Sequence, residues 1–119
     1  MFEKLIVSFP YLLKGSVHTA WMSVVTIILG TLLGIILGIL IVYGPTFLRR
    51  FITGYVFVIR GIPILVLMFL TYYALPALGV NIGDYVTVCG ALVIYCGAYV
   101  TEITRGAILA VPRTQFDAA

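Results

Sequence analysis

The sequence predicts an all-α integral membrane protein with about three transmembrane helices, and two observations carry the prediction. Of its 119 residues, 63% are hydrophobic and 9% are charged, with a mean hydropathy of +1.22, whereas soluble domains carry about 25% charged residues. The few charges are separated by long runs that contain no Asp, Glu, Lys or Arg. A soluble domain of this length would need polar covering that these residues cannot supply, so the solvent must be lipid.

Between Lys14 and Arg49 the one titratable side chain of an acidic or basic residue is His18. The run 19–43 therefore exceeds the roughly 20 apolar residues that a spanning helix needs. A second charge-free run covers 61–83; the helix that uses it is expected over 51–75, with Arg60 inside it. Gly61 and Pro63 follow at once, and the missing backbone donor of proline predicts a kink there. The stretch 79–84, Gly-Val-Asn-Ile-Gly-Asp, reads as a turn. A third helix is expected over 85–110, with Pro112 as its stop. Before the first span, Lys4 precedes an apolar stretch, 5–13, interrupted by Pro10 and followed by no small-residue cleavage site. It reads as an amphipathic segment at the interface rather than as a cleaved signal.

Basic residues are retained in the cytoplasm. Arg49 and Arg50 stand in the first connection, with Arg60 just beyond, and Arg105 and Arg113 stand at the C-terminal end; the second connection holds only Asp84. These outweigh Lys4 and Lys14, so the N-terminus is predicted outside and Ala119 inside. The same basic residues are scattered rather than arrayed in a stripe, which argues against nucleic acid as a partner.

Cys89 and Cys96, seven residues apart on a helix, lie about 10 Å apart along its axis, too far for a disulfide. With no His or Cys cluster beside them they are packing residues, and no metal site is expected. The lysines at positions 4 and 14 permit no G-x-x-x-x-G-K loop, and no H-E-x-x-H or G-x-S-x-G occurs. The chain is therefore expected to bind no cofactor and to carry no ATPase site; if energy is needed, a partner supplies it.

Three groups of residues stand out. Gly30, Gly34 and Gly38 repeat every four residues, a small-residue ridge that lets a second backbone approach closely. Arg60, Glu102 and Arg105 are ionisable groups at membrane depth, which cost several kcal/mol unless paired or hydrated and so mark functional sites. Glu102 can pair locally with Arg105 at i, i+3, or Arg60 can reach Glu102 and tie two helices together; both arrangements stand open. Tyr95, Tyr99, Glu102 and Gly106 share one helical stripe, suited to a polar pathway or to a hydrogen-bonded interface with another subunit. His18, near the start of the first span, reads as an interfacial residue.

These residues also resemble a known family. Leu12-Leu13-Lys14-Gly15 with Thr19, Tyr55 with Arg60-Gly61-Ile62-Pro63, Ala98-Tyr99-Val100-Thr101-Glu102-Ile103 with Arg105-Gly106, and Val111-Pro112-Arg113-Thr114-Gln115-Phe116-Asp117-Ala118-Ala119 follow one another in order. They are similar to segments of the permease subunits of bacterial ABC importers for polar amino acids, the histidine/glutamine permease type. The last segment looks like the start of that family's cytoplasmic coupling loop, Glu-Ala-Ala followed by glycine. Asp117 replaces the usual Glu, Thr114 the usual Gly and Phe116 the common Trp.

The resemblance implies the five-helix, MetI-like fold, of which 1–119 would be the N-terminal portion ending within the coupling loop at 111–119. It further implies a bacterial plasma-membrane subunit that pairs with a second permease copy or a sister permease. Such a subunit receives an amino acid from an extracellular substrate-binding protein and is driven by ABC ATPase subunits that use the ATP. Gln115, Asp117, Ala118 and Ala119 would belong to the ATPase contact, with the carboxylate near a helix start, where negative charge is favoured. The competing expectation is a small three-helix channel or an accessory or assembly membrane protein.

Overall fold

A computed structural model describes residues 1–118 of the chain. The helices run in the order α1 (Phe2–Tyr43), α2 (Thr46–Arg60), α3 (Ile64–Ala77), α4 (Asp84–Ala110) and α5 (Arg113–Ala118). Two of them, α1 and α4, are each long and apolar enough to cross a membrane; α2 and α3 together make a third candidate span that is bent by 104° at its break.

The first helix is longer than the run 19–43. Residues expected as a separate interfacial segment continue it without a break, and Pro10 lies inside. Proline removes one backbone donor, and the helix nevertheless runs on through Leu12, Leu13 and Lys14, good helix formers that follow it. At 1.5 Å per residue its 42 residues extend about 63 Å, twice the roughly 30 Å hydrocarbon thickness. The N-terminal part, exposed throughout 1–20, therefore extends past the span along the same axis.

What holds the bundle is the seam between α1 and α4. The buried residues of α1 are Gly30, Gly34, Gly38 and Ile41, and those of α4 are Thr87, Ala91, Gly97, Ala98 and Thr101. The three glycines leave the α1 backbone bare, so the side chains of Cys96, Val100 and Thr104 of α4 seat directly on it. A Cβ built on Gly30 would lie 2.6 Å from Cys96 Sγ, and one on Gly38 2.5 Å from Thr104 Cβ; at Gly34 it would collide with Val100 and come within 2.9 Å of the Thr101 amide nitrogen. Lipid offers no hydrophobic drive for helix association, so this close van der Waals fit has to supply it. Thr101, fully buried, directs its hydroxyl to the Gly97 carbonyl at 2.6 Å, and Thr87 does the same to Gly83 at 2.7 Å. Their polar atoms are thereby satisfied within their own helix. At the far end of the seam the His18 ring stacks on Tyr85 with centroids 5.2 Å apart, and Trp21 Nε1 donates to His18 Nδ1 at 3.2 Å.

A second, smaller contact seats α2. Ile52 and Val56 are buried against Ile41, with Leu37, Leu40, Leu48 and Tyr55 packed around them; the i, i+4, i+7/i+8 spacing of Leu48, Ile52, Tyr55 and Val56 gives one apolar face. This helix begins at Thr46, five residues before the expected start at 51, because Pro45 in extended conformation already redirects the chain after α1.

The continuous helix expected over 51–75 is two helices. Gly61 is still αR (φ −80°, ψ −11°), but Pro63 at ψ 142° leaves the helical region, and a residue preceding proline is itself pushed from it. What the sequence suggested as a kink is a reversal sharp enough that α2 and α3 do not form one straight rod. With 15 and 14 residues, each is about 21–23 Å long, short of the hydrocarbon thickness. The last turn of α3 closes with Val80 N–H on the Leu75 carbonyl (2.9 Å) and Gly79 N–H on Pro76 (3.0 Å). Gly79 supplies the positive φ of 85° that this helix ending requires.

The seam makes opposite predictions for one substitution at two glycines. Gly34→Ala should destabilise the folded chain by about 1–3 kcal/mol, the usual cost of overpacking. Gly90→Ala on α4, where a Cβ meets nothing within 4 Å, should leave stability unchanged or raise it by up to about 1 kcal/mol through helix propensity. Unfolding midpoints in one detergent measure both, and equal shifts would contradict the packing described.

Candidate functional site

One group of polar side chains forms where α2 meets α4. Arg60 is the last residue of α2, where a cation complements the negative end of the helix. Its guanidinium carbon lies 5.3 Å from the centroid of the Tyr99 ring, within range of a cation–π contact. One turn earlier on α4, Tyr95 stacks obliquely on Tyr99, centroids 4.9 Å apart, and its hydroxyl donates to the Tyr99 hydroxyl at 3.1 Å. Arg60, Tyr99 and Tyr95 thus form one connected group.

Glu102 belongs to a second group. It binds Arg105 through both carboxylate oxygens, Oε1 to Nε at 3.3 Å and Oε2 to Nη2 at 3.4 Å. Of the two arrangements that the sequence left open, the structure takes the local i, i+3 pair, and Arg60 goes to the aromatic ring rather than to the carboxylate. The stripe of Tyr95, Tyr99 and Glu102 is therefore one face in register but two groups in chemistry. Gly106 at its end is exposed and a Cβ there meets nothing, so it provides no close approach.

The sequence reading missed a junction of three helices. The Tyr55 hydroxyl of α2 donates to the Ile94 carbonyl of α4, and it can approach because Gly97 carries no side chain: a Cβ there would stand 3.3 Å from the Tyr55 oxygen and 2.7 Å from Leu33 Cδ2 of α1. The sequence offers two equal Gly-Ala pairs on α4, Gly90-Ala91 and Gly97-Ala98, and nothing in their spacing singles out Gly97 as the close contact. Gly61 and Pro63 mark the break between α2 and α3, and Gly30, Gly34 and Gly38 the seam, as described above.

The coupling-loop segment forms the short α5, in which Gln115, Asp117 and Ala118 are exposed and the Gln115 N–H bonds the Pro112 carbonyl at 3.0 Å. Asp117 lies beyond the first turn of α5, which holds no acidic residue, so the expected benefit of a carboxylate at a helix start does not apply. Ala119 lies outside the described residues. Among those residues no group of three or more His, Cys, Asp and Glu side chains is arranged to hold a metal ion.

The two roles of Tyr99 can be separated. Tyr99→Phe keeps the ring under Arg60 and loses the hydroxyl contact, at a cost of about 0.6 kcal/mol, typical of a hydrogen bond between groups in a membrane bundle. Tyr99→Leu loses the cation–π contact as well, at a further cost of about 0.5–2 kcal/mol. Detergent unfolding of both variants should show that order, and equal losses would remove Arg60 from the group.

Comparison with known proteins adds the wider context. The family model described as the binding-protein-dependent transport system inner membrane component matches residues 30–119. A probable amino-acid ABC transporter permease of Bacillus subtilis (strain 168) is 32% identical over 112 residues, covering 94% of this chain and 50% of its own length. The glutamine transport system permease of Escherichia coli (strain K12) is 33% identical over 104 residues, covering 86% of this chain and 48% of its own. A crystal structure of an amino acid ABC transporter with histidines superposes with a TM-score of 0.87 at 30% identity, over 100% of this chain and 56% of the other. The chain spans about half the length of the curated relatives it matches. With the family match running over the helices that build the seam and through α5, the chain belongs to the binding-protein-dependent transport system inner membrane components.

Proposed function

We propose that this chain is the N-terminal part of a membrane-spanning permease subunit of an ABC transporter that imports polar amino acids. The observation that carries the proposal is the superposition of the whole chain, bent helix pair and α5 included, on an amino acid ABC transporter. In this role the protein contributes a pathway through the membrane and no catalysis. ATP is bound and hydrolysed by partner ATPase subunits, consistent with a sequence that has no phosphate-binding loop. An extracellular substrate-binding protein delivers the amino acid, and a second permease copy or a sister permease completes the pathway. The subunit sits in the bacterial plasma membrane with its N-terminus outside, and α5 at the cytoplasmic end, where the retained arginines Arg49, Arg50 and Arg105 also lie.

The geometry supports a role for each of these groups. Arg60, Tyr95 and Tyr99 are the pathway candidates, a cation and two hydroxyls at the meeting of α2 and α4. The Glu102–Arg105 pair fixes the last turns of α4, from which the chain passes through Pro112 into α5. Gln115, Asp117 and Ala118, exposed on α5, present themselves to the ATPase together with Ala119.

Two substitutions in the full-length subunit test these roles. Ala118→Arg should reduce co-purification with the ATPase by about tenfold or more, the factor that about 1.4 kcal/mol corresponds to, while membrane insertion stays normal; undiminished association would refute the contact. Glu102→Gln leaves Arg105 without its counter-charge and should lower amino acid uptake by proteoliposomes. Wild-type uptake would reduce the pair to a local stabiliser of α4.

A further inference from the structure

Where the ends of α1 and α4 meet the first turns of α2, an open pocket of about 370 Å³ is lined by the polar residues Arg49, Thr53, Glu102 and Arg105 and by the apolar residues Ile41, Val42 and Leu109. We propose that this pocket binds the phosphate of an anionic glycerophospholipid, with the upper part of an acyl chain against its aliphatic residues.

Charge favours an anion. Glu102 neutralises Arg105, which leaves Arg49 as the cation of the lining with no ion-pair partner among the described residues. One Nη2 hydrogen of Arg49 goes to the Val42 carbonyl at 3.3 Å, a carbonyl in the last turn of α1. That bond steers the guanidinium toward the pocket and leaves the rest of its five-donor fork available to phosphate oxygens, whose geometry it matches. Arg105 likewise has Nη1 unused by its carboxylate. Thr53 donates its hydroxyl proton to the Arg49 carbonyl at 2.7 Å, which fixes the turn that presents Arg49.

Three features select a lipid over a free anion. Three of the seven lining residues, Ile41, Val42 and Leu109, are aliphatic, a surface that inorganic phosphate cannot use. Among the described residues the pocket opens on the outside of the bundle, with Arg49 and Leu109 exposed, at the helix ends, where headgroups lie. Basic pockets between helices at the cytoplasmic membrane surface are the setting in which anionic headgroups bind.

Native mass spectrometry of the purified protein, equilibrated with mixed micelles of phosphatidylglycerol and phosphatidylethanolamine, tests the site. Wild type should retain phosphatidylglycerol in preference. Arg49→Gln should lower that retention about fivefold, the factor expected for one basic residue near the membrane surface, and Arg50→Gln, whose side chain is not part of the lining, should leave it unchanged. Equal losses from the two variants, or no preference in wild type, overturn the proposal; the second result would leave the pocket to a polypeptide segment. Inorganic phosphate should not displace the lipid, and displacement by it would make this a site for the free anion. Circular dichroism of Arg49→Gln guards against misfolding, and if that variant unfolds, Arg49→Lys, which keeps the charge and loses the bidentate fork, should retain an intermediate amount of lipid.

Discussion

The close approach of α1 and α4 through Gly30, Gly34 and Gly38 is the constraint on which the rest of this structure depends. In water a long apolar helix is driven against its neighbours by burial; in lipid it gains nothing by leaving the solvent. Contact distance must then do what hydrophobicity does elsewhere. Removing three side chains from one face of α1 lets Cys96, Val100 and Thr104 of α4 seat directly on its backbone. The successive contacts advance by four residues on each helix, so the glycines also set register: sliding α4 by one residue would bring the wrong side chains onto the ridge. Register along the seam in turn decides which face of α4 remains for α2.

That face carries the polar groups. With Gly34 and Gly38 against Val100 and Thr104, the residues Tyr95, Tyr99 and Glu102 are turned toward α2 or toward the flank of the bundle. Gly97 lies between the two sides, close to Leu33 of α1 and to the hydroxyl of Tyr55 of α2. The hydrogen bond from Tyr55 to the Ile94 carbonyl is affordable because that carbonyl can accept a second donor beside its helical partner. A side chain at position 97 would therefore disturb two helix contacts at once, a consequence that no single-helix pattern displays.

Different parts of the molecule were legible in the sequence to different degrees. The charge-free runs revealed the apolar helices, because a membrane imposes the same length and composition on any span. The spacing of Gly30, Gly34 and Gly38 identified the packing face, because helical periodicity is local. The angle at Gly61-Ile62-Pro63 was not legible: a missing donor and a restricted pre-proline residue announce a break, but the 104° bend depends on what α3 packs against. Equally hidden was the choice of partner for Arg60. Two acceptors, the Glu102 carboxylate and the Tyr99 ring, sit within one turn of each other on α4, and only the position of the end of α2 decides between them. Pro10 misled in the other direction, since α1 continues through it with regular turns on both sides.

The outcome at Arg60 bears on how the bundle handles charge. Had Arg60 taken Glu102, the end of α2 would be locked to α4 by an ion pair, and Arg105 would be left without a partner near the helix end. Instead Glu102 and Arg105 cancel within one element, a pairing that survives movement of α2 because both partners ride on the same helix. Arg60 keeps its full charge over an aromatic face, a contact that tolerates lateral displacement better than a bidentate salt bridge, since ring attraction falls off gradually with position. The break at Gly61 and Pro63 adjoins that cation. The charge that α2 carries toward α4 is therefore held at the point where the backbone changes direction, by the one kind of contact that a change of helix angle would loosen rather than break.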